Sequence, residues 1–111
     1  MIKLKVGLHR YKLSFVSEDA LNGDLAEVDH RAGVIRLSKT LRDRPELLFS
    51  TMIHELLHAI LEHYGEALGL GERDEEMLIE TLSEPLAAAL VESGLVTLGA
   101  MQFGGEVVTE V

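Results

Sequence analysis

The sequence predicts an α+β fold in which a small antiparallel β-sheet of three to four strands packs on two helices. Three observations lead to this prediction. Apolar and polar residues alternate over residues 2–38, which is typical of strands that bury one face. After residue 43 the apolar residues instead recur with helical spacing in two long segments. The 111 residues fit a single domain, and the 47% apolar content is enough for a packed core.

Residues 1–40 are predicted to form the sheet as an antiparallel meander. Two runs, 2–6 and 11–15, alternate apolar with polar residues, and a short turn separates them. A third strand is expected at 25–29 and a fourth at 34–38. The basic side chains of this part are expected mainly on the solvated face of the sheet, opposite the core.

The first helix is predicted over residues 44–64. Asp43 is a suitable N-cap residue, Pro45 is favoured in a first turn, and Gly65 is typical of a helix end. The segment is apolar on nearly every side, which indicates a buried, central helix. Polar side chains inside such a helix therefore require a specific role.

The second helix is predicted over residues 73–93, after a glycine-rich connector. Pro85 lies inside it and removes one backbone hydrogen bond, so a kink is expected there. The tail at residues 95–111 is mildly apolar and punctuated by glycines, and its pattern assigns it to neither helix nor strand.

Charge and composition exclude several classes of function. The formal charge is −9, and residues 45–111 carry thirteen acidic side chains against one basic. This balance argues against nucleic-acid binding, which needs a basic surface to neutralise phosphates. The absence of cysteine excludes disulfides, cysteine-ligated zinc and cysteine nucleophiles. No signal peptide or membrane span is evident, so a cytoplasmic protein without membrane partners is expected.

The chemistry-bearing motif is His54-Glu55-Leu56-Leu57-His58 on the first helix. Residues four apart project from the same helix face, so both imidazoles can reach one zinc ion. Glu55 stands beside them, where it can act as a general base towards water. The alternative is two hydrogen-bonded histidines in a core helix, but buried polar groups without partners are costly. The pattern therefore favours a metal site.

A catalytic zinc site takes a third protein ligand, which here must be histidine, aspartate or glutamate. His63 lies nine residues after His54 and so on the opposite side of the helix. It is expected to be a surface residue near the helix end. His9 and His30 fall in the strand region and are expected to be solvated.

The second helix offers the third ligand. Glu76, Glu80 and Glu84 recur at intervals of four residues and form an acidic stripe, which alternatively is a solvated helix face. Glu80 lies near the edge of the apolar residues expected to pack on the first helix, and it is the predicted ligand. Glu84 is predicted to accept a hydrogen bond from the outer nitrogen of a ligating histidine. The residues of the second helix that are expected to pack on the first are Leu78, Ile79, Leu82, Leu86 and Leu90.

These segments together resemble the gluzincins, zinc peptidases whose third ligand is a glutamate on a downstream helix. The strand at 34–38, the motif at 54–58 and the segment Glu80-x-x-Ser83-x-x-Leu86-Ala87 are similar to the ImmA/IrrE-type metallopeptidases and to small phage-encoded zincins. The resemblance covers residues 25–92. It implies hydrolysis of peptide bonds in a protein or peptide substrate, with Glu55 as the general base and zinc bound by His54, His58 and Glu80.

Two other hypotheses remain open. In the first, the metal is structural: it holds the two helices together in an interaction module that has no catalytic activity. The other is a latent enzyme whose tail, 95–111, folds back or enters the cleft of a partner in a homo-oligomer, with Glu106 or Glu110 capping the metal. Weak candidates for stabilising a transition state are His63, Tyr64 and His30.

Overall fold

The computed structural model describes residues 2–96 and the backbone of residues 102–103 and 106–107. The elements are the strands β1 (Ile2–Val6), β2 (His9–Val16), β3 (Ala26–Asp29) and β4 (Val34–Ser38), the helices α1 (Pro45–Tyr64) and α2 (Glu72–Glu92), and the short strands β5 (Gln102–Phe103) and β6 (Glu106–Val107). Three short 3-10 helices connect them, at Glu18–Leu21, Lys39–Asp43 and Glu66–Leu68.

The fold is α+β, with a four-stranded sheet and two long helices, and this part of the prediction is confirmed. The antiparallel meander is wrong, because the strand order is β1-β2-β4-β3 and β2 pairs with β4 in parallel. The parallel register extends from Lys12 opposite Val34 to Val16 opposite Ser38. The other two pairings of this sheet are antiparallel, so the sheet is mixed.

The connection after β2 accounts for this order. The 3-10 helix Glu18–Leu21 buries Leu21, and Asn22 then adopts a left-handed backbone conformation that redirects the chain. This connection carries the chain past the position beside β2, so β3 becomes the sheet edge. β4 returns antiparallel to β3 and fills the gap, where it runs parallel to β2. The alternation of apolar and polar residues predicts which face of a strand is buried, but not which strand lies next to it in the sheet.

The core lies between one face of the sheet and α1. Ile35 and Leu37 of the central strand β4 are fully buried, and Tyr11 and Leu13 of β2 lie beside them. Each such apolar side chain stabilises the fold by roughly 1.5–3 kcal/mol relative to exposure. On the opposite face Arg36 pairs with Glu27 across β3 and β4 at 2.8 Å, and the lysines of β1 are exposed. The expectation of a solvated basic face is confirmed.

Helix α1 and its N-cap each begin one residue later than predicted. Asp43 ends the 3-10 helix Lys39–Asp43, so its backbone is already in a helical turn and Arg44 occupies the N-cap position. Pro45 lies in the first turn of α1, as predicted, and is its first residue, where its missing N–H costs nothing. The helix ends at Tyr64 with Gly65 as its C-cap, where the Gly65 N–H donates to the Leu61 carbonyl.

Helix α2 packs on α1 through one large and two small residues. Its buried residues are Ile79, Ser83 and Ala87, which recur at intervals of four. The prediction that the larger Leu82 and Leu86 face α1 is wrong, since these side chains are 44% and 41% exposed. Small side chains at the contact let the two helices approach closely. No helix within the described ranges is long and apolar enough to cross a membrane.

Candidate metal centre

Three side chains from the two helices converge in the described part of the chain. One ligand atom from each of His54, His58 and Glu76 lies within 4.8 Å of the others, a grouping that could hold a metal ion. Nε2 of His54 is 3.5 Å from Oε1 of Glu76, and Nε2 of His58 is 3.3 Å from Oε2 of the same carboxylate. One carboxylate thus faces two imidazoles.

Helical geometry explains why these residues meet. His54 and His58 are one turn apart on α1, and their ring centroids are 4.9 Å apart. Glu76 precedes the fully buried Ile79 by three residues, so it lies on the side of α2 that packs on α1. Its side chain is 47% exposed, which leaves the cluster open to solvent.

The donor set fits zinc in chemistry and in spacing. Two imidazole nitrogens and a carboxylate oxygen are ligands that zinc accepts in catalytic sites. Two ligands bound to a tetrahedral ion at ~2.0–2.1 Å lie about 3.3–3.4 Å apart. Each imidazole lies at about that spacing from one oxygen of the Glu76 carboxylate, His54 at 3.5 Å from Oε1 and His58 at 3.3 Å from Oε2.

The other nitrogen of His58 faces a second carboxylate. Nδ1 of His58 lies 3.6 Å from Oε1 of Glu75, slightly beyond hydrogen-bond distance. A ligating histidine commonly donates its outer N–H to a carboxylate, which fixes the tautomer and the ring orientation. Glu75 therefore occupies the position that the sequence analysis assigned to Glu84.

Glu80 and Glu84 lie farther along the same cleft. Both line a cavity of about 410 Å³ together with His54 and Glu55, but the metal grouping of the described residues contains Glu76 rather than Glu80. Glu80 is near enough to raise the pKa of His54 by its charge. Within residues 2–96 Glu84 forms no ion pair with a histidine.

Glu55 is almost fully buried, with an exposed fraction of 7%, and lines the same cavity. Burial raises the pKa of its carboxyl group to about 7, opposed by His58 and reinforced by the negative charges of Glu76, Glu27 and Asp24. A carboxylate with a pKa near neutrality can both accept and return a proton at physiological pH. Glu55 is therefore chemically suited to acid–base work at this site.

The surroundings of His54 favour the neutral form of its imidazole. Burial lowers the pKa of His54, and His58 lowers it further, whereas the negative charges of Glu76 and Glu80 act in the opposite direction. A neutral imidazole carries the free lone pair that a metal requires. The lowered pKa of His54 therefore favours metal binding at this position.

The remaining three histidines form a separate cluster with Tyr11, the His–Tyr cluster, at the C-terminal end of α1. The Tyr11 hydroxyl lies 2.6 Å from Nε2 of His63 and 3.1 Å from Nδ1 of His30. His9 stacks on His63, with ring centroids 3.5 Å apart and an interplanar angle of 11°. His9 is exposed, as predicted, whereas the expectation of a solvated side chain is wrong for His30, which is half-buried and hydrogen-bonded. His63 lies near the helix end, as predicted, but is half-buried and hydrogen-bonded there.

This cluster lies apart from the metal grouping. His63, His30 and Tyr64, the weak candidates for stabilising a transition state, do not line the cavity beside His54. The Tyr64 hydroxyl instead accepts the Leu8 N–H at 3.2 Å. These residues connect α1 to the sheet, and hydrogen bonding within the protein accounts for their positions.

Sequence reasoning missed two residues, Glu75 and Glu76. Glu76 belongs to the acidic stripe noted in the sequence, so the signal was present, but the choice within the stripe depends on which face of α2 is buried. Glu75 carries no periodic signal, because only the observed helix packing brings it to His58.

Comparison with protein-family models, with curated proteins and with solved structures finds no match to this chain. The function must therefore be argued from the site itself.

Proposed function

We propose that this protein is a zinc-dependent metallopeptidase with zincin-like packing of its helices and sheet. The observation that carries the proposal is the grouping of His54, His58 and Glu76 within 4.8 Å, with the buried Glu55 in the adjoining cavity. In the proposal, His54, His58 and Glu76 hold the zinc ion. Glu80, the ligand predicted from the sequence, then lines the cleft instead.

Zinc bound here would lower the pKa of a water molecule and polarise the carbonyl group of a substrate. Glu55 takes the proton of the attacking water and returns it to the departing amine, a role that its pKa of about 7 supports. With zinc bound, Glu75 would accept the outer N–H of His58 and so help to orient the ring.

The edge strand β3 supports a peptide as the substrate. Within the described residues β3 is the last strand of its sheet, and Leu25 and Ala26 line the cavity beside His54 and Glu55. The Leu25 carbonyl accepts the Ser38 N–H at 2.8 Å and so points towards β4. By the alternation of an antiparallel pair, the backbone groups of Ala26 and Val28 point to the open edge. An extended peptide can pair there as an added strand.

The test compares the zinc-loaded protein with its Glu55→Gln variant on an unfolded protein substrate and on a mixed peptide library, with cleavage read by mass spectrometry. We expect cleavage by the unmodified chain and a loss of 10²-fold or more in the variant, which retains its zinc. Equal cleavage rates would contradict the role of Glu55.

The structural-site hypothesis predicts a different outcome of the same experiment. Chelation would then lower the melting temperature strongly, while no peptide in the library is cut at any zinc concentration. The latent-enzyme hypothesis concerns side chains of the tail, including Glu106 and Glu110, which lie outside the residues whose side chains the structure describes. A chain truncated after Gly94 that gains activity would support it.

A further inference from the structure

A second cavity of about 450 Å³ adjoins the one at the metal grouping. It lies between the N-terminal part of α1 and the C-terminal part of α2, and we refer to it as the α1–α2 groove. Ser50 and Glu84 line both cavities, so the two form one continuous cleft. A substrate held at the metal grouping can therefore extend into this groove.

The groove has an apolar floor. Phe49 and Ala87 are buried beneath it, and the half-buried Leu47 and Val91 form its sides. An apolar side chain of a ligand would be removed from water in this groove. This burial would favour binding by roughly 25 cal/mol per Å² of apolar surface.

The rim of the groove is acidic. Glu46, Glu84 and Glu92 line it with exposed side chains, and the lining includes no lysine, arginine or histidine. Within residues 2–96 none of these three carboxylates forms an ion pair with a basic side chain. In addition, Glu55 in the connected cavity is 7% exposed and has no hydrogen-bond or ion-pair partner in that part of the chain. A ligand that enters the groove thus meets uncompensated negative charge along its rim.

We propose that the α1–α2 groove binds a cationic segment of the peptide substrate, with an apolar side chain on the floor and lysine or arginine side chains against Glu46, Glu84 and Glu92. This inference rests on the proposed peptidase function and specifies its substrate class. Complementary charge acts mainly on specificity and on the rate of association, and salt screens it over about 8 Å at physiological ionic strength.

The experiment measures binding without turnover, using zinc-loaded Glu55→Gln protein and fluorescence anisotropy. Three labelled peptides share one central leucine and differ only in their flanking residues, which are lysine and arginine, serine, or glutamate. We expect the cationic peptide to bind at least tenfold more tightly than the acidic one, and the difference to shrink between 50 and 300 mM salt. Equal binding of the three peptides, or no binding of any, would overturn the proposal.

A matched pair of triple variants separates the groove from the general acidity of the chain. Glu46, Glu84 and Glu92 are changed to glutamine in one, and the exposed Glu18, Glu66 and Glu72 in the other, so that the net charge is the same. The groove variant should lose most of the cationic preference and the control should keep it, whereas equal losses would overturn the proposal. Zinc content and Glu55-dependent cleavage are measured separately, so a failure of the peptidase function is distinguishable from a failure at the groove.

Discussion

Oε1 of Glu75 lies 3.6 Å from Nδ1 of His58, on the opposite side of the imidazole ring from Glu76. Glu75 and Glu76 are consecutive on α2, yet they face the two nitrogens of one histidine. The ring thus lies between two carboxylates, one of them that of a candidate metal ligand.

Replacing Glu75 by alanine is expected to weaken zinc binding without abolishing it. An outer carboxylate on a ligating histidine typically contributes 10–100-fold to metal affinity, and the long separation here favours the lower end, about tenfold. Competition with a chromophoric chelator measures the dissociation constant. Asp74→Ala is the matched control, because Asp74 is a neighbouring, exposed acidic residue of the same helical turn. Equal weakening in both variants would show that Glu75 acts only through net charge.

The proton balance of the His–Tyr cluster predicts acid sensitivity of the fold. The Tyr11 hydroxyl has one proton and contacts both His63 and His30, so it donates to one imidazole and accepts from the other. If both rings become doubly protonated, each must donate, and the hydroxyl proton of the buried Tyr11 loses its acceptor. The cluster therefore accommodates one added proton on these two rings but not two.

The pKa of His63 indicates the direction of this effect. Burial lowers it, His9 and His30 lower it further, and Glu62 acts in the opposite direction. A histidine whose pKa is lower in the folded than in the unfolded chain stabilises the fold fully above pH ~6.5, and this stabilisation is lost as the pH falls below that value. We expect the urea-unfolding free energy of the metal-free protein to decrease from pH 7 to pH 5.

Removing the histidine should reduce that pH dependence. In His63→Asn the decrease from pH 7 to pH 5 is expected to be smaller, while the contribution of His54, whose pKa is also lowered, remains in both proteins. An identical pH profile in the unmodified chain and His63→Asn would exclude the cluster as the source of the pH dependence.

Tyr11→Phe should lower the free energy of unfolding by about 1–2 kcal/mol at pH 7, since it removes a buried hydroxyl that contacts two histidines.

Two glycines with the same backbone conformation offer a test of how α1 is attached to the β1–β2 turn. Gly7 and Gly69 have positive φ angles of 59° and 64°, which disfavour any other residue. A Cβ atom at Gly7 would overlap the hydroxyl group of Tyr64, whereas one at Gly69 would meet nothing within 4 Å. Gly69→Ala is expected to cost roughly 1–2 kcal/mol, from backbone strain alone. Gly7→Ala should cost clearly more in the same urea titration, and equal costs would contradict the contact.

Much of the fold follows from local pattern. The alternation of apolar residues located the four strands of the main sheet to within a few residues, and Pro45 and Gly65 marked the ends of α1. The strand order could not be predicted in this way, because it depends on the connection after β2 rather than on the residues within the strands. The same face of β4 is buried whether its neighbouring strand runs parallel or antiparallel, so the burial pattern does not distinguish the two.

The site shows a similar division between spacing and packing. His54, Glu55 and His58 follow from spacing on one helix. Predicting the third residue of the grouping requires the orientation of α2 relative to α1. Successive glutamates of the acidic stripe are four residues apart, so each is rotated by about 40° around the helix axis from the one before. The buried face of α2 is formed by Ile79, Ser83 and Ala87 instead of the leucines, so Glu76 lies nearer to α1 than Glu80 does.

The most direct test of the account is the zinc content of the purified chain and of two glutamate variants after dialysis against equal zinc, measured by plasma mass spectrometry. If His54, His58 and Glu76 hold the zinc, we expect about one zinc ion per chain in the unmodified protein and in Glu80→Gln, and little in Glu76→Gln. His54→Ala and His58→Ala serve as references for a lost ligand. Zinc retained by Glu76→Gln and lost from Glu80→Gln would contradict it.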